Sequence, residues 1–323
     1  AGYPIEGLWI SGLQRKLTLK NLSFPFKVIS SLRKAGKIID RFRPDVVIGV
    51  GGYASGPLLR VAGKKGIPTV IQEQNSFPGI TNKLLAKSVK KICVAYDGME
   101  KYFPAEKIVK TGNPIRKEVI NIKNKREKAA GIFNLEKDKK TVFIVGGSQG
   151  ALSVNKSIKQ NLDRFIENDI QLIWQTGKFF SSQARKLVDE KHVKGIRVVE
   201  FINRMDLAYA LADVIVSRAG AIAISEICAV GKPTVFIPFP FAAEDHQTKN
   251  AQALVEKNAA VLVPDNKAAE KLTAVVMDLI TNDKKRQQLG ENISKLAITD
   301  SANRIAGEII QLIPVEKKQQ KNQ

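Results

Sequence analysis

At 323 residues the chain is long enough for two domains, each with its own core; a hydrophobic content of 44% and a mean hydropathy of −0.13 belong to an ordinary globular sequence. No apolar run approaches the roughly 18 residues that would suggest a spanning helix, and the 2 cysteines lie in apolar surroundings that suit reduced core thiols better than a disulfide framework. The net charge of +21 is concentrated early, with 21 Lys/Arg against 8 Asp/Glu over residues 1–121; without a helix-turn-helix, zinc-ligand or aromatic RNA-binding signature beside it, it points to an anionic membrane surface and not to nucleic acid.

The first patterned stretch, residues 11–26 (SGLQRKLTLKNLSFPF), mixes Leu and Phe with basic residues and runs into a helix predicted over 27–41, which adds Arg33, Lys34 and Lys37. Apolar groups ringed by cations fit shallow insertion at an anionic bilayer, and core packing of Phe24 and Phe26 fits equally well. From there short apolar runs alternate with helix-period segments. Strands are predicted over 46–50, 69–72, 91–95, 141–145, 171–175, 214–217 and 234–237. Helices are predicted over 56–65, 80–87, 151–165, 222–230, 246–257 and 301–312. This is the pattern of parallel sheets with crossover helices. A charged stretch at 117–140 interrupts it, so the domains are drawn as 1–118 and 141–301, with a linker at 119–140 and a polar tail at 317–323.

Glycine-rich turns follow strand-like runs at 49–57 (GVGGYASGP), 146–151 (GGSQGA) and 218–221 (RAGA). Glycine lets the backbone approach a ligand closely, although any one such turn serves chain tightness as readily. None has the Lys-Ser/Thr of a P-loop, which disfavours NTP hydrolysis. Gln72-Glu73-Gln74-Asn75 closes a strand where polar groups commonly face a ligand crevice, whereas Ser76 reads better as a helix cap. Arg116, in TGNPIR, reads as a phosphate partner or as a solvated cation with equal ease.

The most informative stretch is 214–250. Strand, small-residue turn, helix and strand follow one another, so free N–H groups and the positive helix end meet at one point, which suits a phosphate. Glu226, one turn into that helix, could accept from the two vicinal hydroxyls of a ribose held beside the phosphate. Asp245-His246-Gln247 adds polar groups after a Pro-rich loop, and the whole reads as a nucleotide-sugar pocket. His192 lies in a charged loop. With no Asp-x-Asp pair and no His/Cys/carboxylate cluster, no metal site is expected; a general base would be His246, a carboxylate such as Glu73, or a residue outside this chain.

The segments PDVVIGVGGYASGP, EQNSFPGITNK, TGNPIR, GGSQGA, FINRM, SRAGAIAISEI and DHQTKNA stand in the order found in the MurG family. These are family-28 bacterial glycosyltransferases that add N-acetylglucosamine to lipid I in peptidoglycan synthesis, and the resemblance spans nearly the whole chain. It implies a GT-B fold: two Rossmann-like, doubly wound parallel-sheet α/β domains with a cleft between them, residues 302–316 returning to the first, and no cofactor or metal. Carried onto this sequence, it puts the uracil of UDP-GlcNAc against the backbone of Ile202, and the diphosphate against Ser148 and Arg116. The helix start formed by Ala221, Ile222, Ala223, Ile224 and Ser225 would lie beneath the diphosphate, with Glu226 on the ribose, Gln247 on the sugar hydroxyls, and Asn75 facing donor and acceptor from across the cleft. The basic-apolar patch is similar to the surface by which the family docks, peripherally, on the cytoplasmic face of the inner membrane. The family begins with a strand and a GGTGGH-like loop whose His is the usual candidate base. That loop is expected before Ala1, and without it the acceptor domain is expected to be incomplete; whether the chain as given is active stays open, with His246 the remaining candidate base. The implied reaction is inverting transfer of N-acetylglucosamine to the C4 hydroxyl of the muramoyl sugar of lipid I, forming lipid II. A lipid glucosyltransferase or a UDP-GlcNAc 2-epimerase on the same fold is the alternative.

Overall fold

A computed structural model describes residues 2–12 and 23–313 and divides the chain into two compact units, 1–113 with 300–323, and 114–299. The polar tail expected at 317–323 and most of the basic-apolar stretch before residue 23 lie outside the described residues.

The first unit opens with the Phe24–Phe42 helix, which carries Pro25 in its first turn and turns Ser31, Ala35 and Ile39 inward, four residues apart on one face. Arg43, at φ 50°, ends it with its N–H on the Ile39 carbonyl at 2.8 Å. The sheet runs β1 (Val47–Gly49), β2 (Thr69–Glu73), β3 (Lys91–Val94) and β4 (Ile108–Lys110) in that spatial order, all parallel, with Ile71 opposite Ile92 and Cys93 opposite Val109. Side chains alternate across it. Ile71, Ile92 and Val94 join Ile39, Leu59 and Met99 in one cluster, while Val70 and Cys93 pack with Ile305 on the opposite face. Ile305 belongs to the Ser301–Gln311 helix, which is fastened by Glu308 and Gln311 to Lys91.

The second unit is a parallel sheet of β5 (Thr141–Val145), β6 (Gln171–Gln175), β7 (Ile196–Val199), β8 (Val214–Ser217), β9 (Thr234–Phe236) and β10 (Val261–Leu262), in the spatial order β10-β9-β8-β5-β6-β7. Its central strands are buried on both faces, as their unbroken apolar runs require. Helices Leu152–Gln160 and Ala268–Thr281 cover one side through Val154, Ile158, Leu272 and Val276.

Three departures from the sequence reading have local causes. Strands β4, β7 and β10 are short and only partly buried: Ile108 and Val109 stand between lysines, Arg197 interrupts β7, and β10 is a pairing of two residues inside the apolar run 259–263. The helix predicted over 151–165 is broken into Leu152–Gln160 and Leu162–Glu167 at Asn161, whose ψ of 19° is not helical. The stretch drawn as a linker at 119–140 contains the Arg126–Phe133 helix, which buries Ala129, Ala130 and Phe133. Arg126 ties it to the Asp213 carboxylate at 3.0 Å and the Leu211 carbonyl at 2.7 Å. The stretch is therefore part of the second unit, which starts at Pro114 and not after residue 118. Its charges mislead because Arg126 fastens the helix to its neighbours while Ala129, Ala130 and Phe133 go inward.

Candidate functional site

In the second unit β6 and β7 are laid down on one side of β5, and β8, β9 and β10 on the other. Loops leaving β5 and β8 therefore diverge to opposite faces and open a crevice at the carboxyl ends of these two strands. The turn after β5 stacks backbone against backbone on the turn after β6. A Cβ on Gly150, at φ 78°, would lie 2.0 Å from the Thr176 carbonyl oxygen, and one on Gly177 would lie 2.4 Å from the Gly150 nitrogen. Gln175, buried at the end of β6, laces the two together: Oε1 accepts from the Gly146 N–H at 3.1 Å, and Nε2 donates to the carbonyls of Gly147 at 2.8 Å and Glu200 at 3.0 Å. Ser148 stands exposed on this turn.

The turn after β8 is fixed by Arg218, which donates to the carbonyls of Ile237 and Pro238, each at 3.1 Å, and to Asp265 at 2.5 Å. Gly220 then starts the Ala221–Val230 helix with no side-chain cap, its carbonyl accepting from the Ile224 N–H at 2.9 Å. The N–H groups of Ala221, Ile222 and Ala223 precede any acceptor within the helix and carry its positive end. Ile224 is buried, and Ser225 turns its hydroxyl back onto the Ala221 carbonyl at 3.0 Å. What this turn offers an anion is therefore backbone.

Glu226 is 2% exposed and held by Arg116 in a two-point pair, Nε to Oε1 and Nη2 to Oε2, both at 2.7 Å. The Tyr209 hydroxyl donates to Oε2 at 3.3 Å. The sequence reading sends Arg116 to a diphosphate and Glu226 to a ribose; here the two hold each other. A buried carboxylate needs a cation beside it, and Arg116, at the start of the Lys117–Ile120 helix, supplies one. The Glu226 hydrogen bonds raise the Arg116 guanidinium above its ordinary value. Burial, and then the Glu226 charge, push the Tyr209 phenol far up, so it stays protonated and donates.

The other expected residues fall on neighbouring loops. Ile202 is buried between exposed Phe201 and Asn203, just before Asp206, a buried carboxylate that takes two bonds from Arg204 and one from Lys125, all at 2.9 Å. These cations hold the Asp206 carboxyl well below the usual range. Gln247 spends Oε1 on the Phe239 N–H at 2.9 Å and keeps its amide hydrogens as donors. His246 places Nδ1 2.7 Å from the Ala243 carbonyl, which can only accept, so the proton sits on Nδ1 and Nε2 is the basic nitrogen. In the first unit, Asn75 donates through its N–H and Nδ2 to Glu73 Oε1, at 3.0 and 3.3 Å. Glu73 is buried and also accepts from the Gly79 N–H and Asn82, so its carboxylate shapes the loop that carries Asn75. Among the described residues no group of His, Cys, Asp or Glu could hold a metal ion.

Sequence reasoning missed Gln175, Asp206 and Tyr209. Gln175 had a legible signal, an amide ending an apolar strand just before a glycine. The signal for Tyr209 was fainter: one hydroxyl in an otherwise Ala- and Leu-rich helix.

Two parallel-sheet α/β units, the second doubly wound with a crevice at its switch point, define an α/β protein of GT-B class. Residues 141–305 match the glycosyltransferase family 28 C-terminal domain and residues 1–94 its N-terminal domain. A Bacteroides thetaiotaomicron protein, named UDP-N-acetylglucosamine--N-acetylmuramyl-(pentapeptide) pyrophosphoryl-undecaprenol N-acetylglucosamine transferase, is 52% identical over 320 residues, 98% of this chain and 86% of the relative. The protein of that name from Cytophaga hutchinsonii is 50% identical over 318 residues, 98% and 85% of the two chains. Among solved structures, Acinetobacter baumannii MurG superposes with a TM-score of 0.72 at 28% identity, covering 89% of this chain and 79% of that one. A Neisseria meningitidis UDP-GlcNAc 2-epimerase bound to UDP-GlcNAc reaches 0.61 over 93% and 84% of the two chains, but at 14% identity this likeness shows the fold alone. The chain belongs to glycosyltransferase family 28, in its branch of N-acetylglucosaminyltransferases.

Proposed function

We propose that this chain transfers N-acetylglucosamine from UDP-GlcNAc to the C4 hydroxyl of the muramoyl sugar of lipid I, with inversion, to give lipid II for peptidoglycan. The observation that carries the reading is identity of about one residue in two, across nearly the full chain, to transferases named for this reaction. The switch-point site supports it chemically. The diphosphate would sit over the N–H groups of Ala221, Ile222 and Ala223 and beside Ser148, where the helix end and Arg116 stabilise the charge developing on departing UDP. Glu226 would then accept from the ribose hydroxyls, the backbone at Ile202 would meet the uracil, and the free amide hydrogens of Gln247 the sugar. Arg116 has to leave Glu226 for this to happen; half of its side chain is already exposed.

We assign the docking surface to the outward face of the Phe24–Phe42 helix, where Phe26, Ile29, Arg33, Lys34 and Lys37 line an open groove of about 490 Å³. Exposed apolar residues at one end and cations at the other suit an anionic headgroup layer, peripheral to the cytoplasmic face of the inner membrane. No described helix is long and apolar enough to cross a membrane.

The deciding experiment supplies labelled UDP-GlcNAc with lipid I in anionic vesicles and separates the products. Labelled lipid II and stoichiometric UDP, formed only when both substrates are present, are expected. Epimerised nucleotide sugar without lipid I, or transfer to a diacylglycerol in preference to lipid I, would overturn the proposal.

A further inference from the structure

Tyr209 is 1% exposed, its ring set edge-on to Phe143 at 5.7 Å, and its hydroxyl meets Glu226 Oε2 at 3.3 Å. It is too deep to touch a ligand, so whatever it contributes to binding passes through Glu226. The carboxylate's two side-chain partners differ in freedom. Arg116 is 49% exposed, whereas Tyr209 is 1% exposed. Tyr209 belongs to the Met205–Leu211 helix, whose first turn is pinned by the Asp206 ion pairs to Arg204 and Lys125. Any exchange of partners at this carboxylate therefore moves Arg116 and leaves Tyr209 in place.

We infer that Tyr209 is a positioning residue of the donor site, holding Glu226 from the core side while Arg116 turns from the carboxylate to the diphosphate. This rests on the reading of Glu226 as the ribose acceptor. A carboxylate has about four acceptor positions; Arg116 takes two and Tyr209 one, so departure of Arg116 frees room for a pair of vicinal hydroxyls. At that moment a buried charge has lost its cation, which is costly unless other donors remain. Tyr209 is the donor that remains, and burial together with the Glu226 charge keeps its phenol protonated.

The test is calorimetric titration of the chain, of Tyr209→Phe and of Glu226→Gln with UDP and with 2′,3′-dideoxy-UDP, which lacks both ribose hydroxyls. The unsubstituted chain is expected to prefer UDP, and Glu226→Gln to lose most of that preference. Tyr209→Phe is expected to weaken UDP about three- to tenfold, as for one long hydrogen bond of ordinary net worth, and to leave the dideoxy ligand within about twofold. Because both ligands are titrated into one preparation, partial unfolding lowers the stoichiometry and leaves their ratio intact. Equal weakening of both ligands would mean that Tyr209 only packs the core; no change in either would mean that it is dispensable; both results overturn the inference. If the unsubstituted chain fails to prefer UDP, or Glu226→Gln keeps the full preference, the ribose reading itself falls and the inference with it.

Discussion

Two buried carboxylates in the second unit, Glu226 and Asp206, have the same kind of partner and different prospects. Asp206 takes three charge-assisted bonds from Arg204 and Lys125 and is a structural anchor for the loop carrying Ile202. Its pKa is depressed in the folded state, by Arg204 first and Lys125 next, so its contribution is full above the unfolded value of about 3.9 and is lost as pH falls through the folded value. Asp206→Asn should cost roughly 1–3 kcal/mol in urea unfolding at pH 7, and the gap from the unsubstituted chain should narrow as the measurement is taken down to pH 3. A gap independent of pH would show that the charge is not what stabilises. Glu226 has a half-exposed partner that can rehydrate, so Glu226→Ala should leave the fold intact and act on binding. UDP affinity is expected to fall on the order of tenfold or more; calorimetry giving an unchanged affinity would remove Glu226 from the site.

At the scale of elements, the crevice depends on two turns meeting without side chains between them. Gly150→Ala puts a Cβ 2.0 Å from a backbone carbonyl at a residue with φ 78°, and neither turn can give way without disturbing the Gln175 bonds. The substitution should destabilise the second unit by roughly 2–4 kcal/mol and weaken UDP binding with it; thermal unfolding and titration read the two effects. The Phe24–Phe42 helix presents a different case, with buried residues on one face and cations on the other. Each Lys or Arg near an anionic surface contributes about 1 kcal/mol, so replacing Arg33, Lys34 and Lys37 together by Ala should weaken binding to phosphatidylglycerol vesicles about a hundredfold at low salt. Binding that survives the triple change would move the docking surface elsewhere.

For the whole molecule the relevant fact is that each unit has its own core, and that the first is completed from the far end of the sequence. Ile305 covers Val70 and Cys93, and burial pushes the Cys93 thiol up to about 11. In the whole chain Cys93 should resist Ellman's reagent at pH 8, and ending the chain at Thr299 should make it reactive; equal protection in both would mean that the helix is not what shields it. The second unit, by contrast, is continuous from Pro114 to Thr299 and contains every expected UDP contact except Asn75. Expressed alone, residues 114–299 should fold and bind UDP within a few-fold of the whole chain, as circular dichroism and calorimetry would show. Folding without binding would place part of the nucleotide site outside this unit.

Much of this was legible in the chain itself. The central strands are apolar runs long enough to be buried on both faces, so Thr141–Val145 and Val214–Ser217 were readable to the residue, and the glycine turns after them marked where a backbone could approach an anion. Small and polar residues follow those strands, and the expectation of a nucleotide-sugar ligand rests on them. What only the tertiary structure decided is who pairs with whom. Arg116 and Glu226 are 110 residues apart, and Gln175 reaches back 29 and 28 residues to Gly146 and Gly147. The charged stretch before β5 looked like a linker because local composition does not reveal that Arg126 will find Asp213 across 87 residues. Periodicity and turn chemistry act over one or two turns of chain and leave their mark in sequence; the partner of a buried charge is chosen by packing, which brings together groups that no local pattern connects.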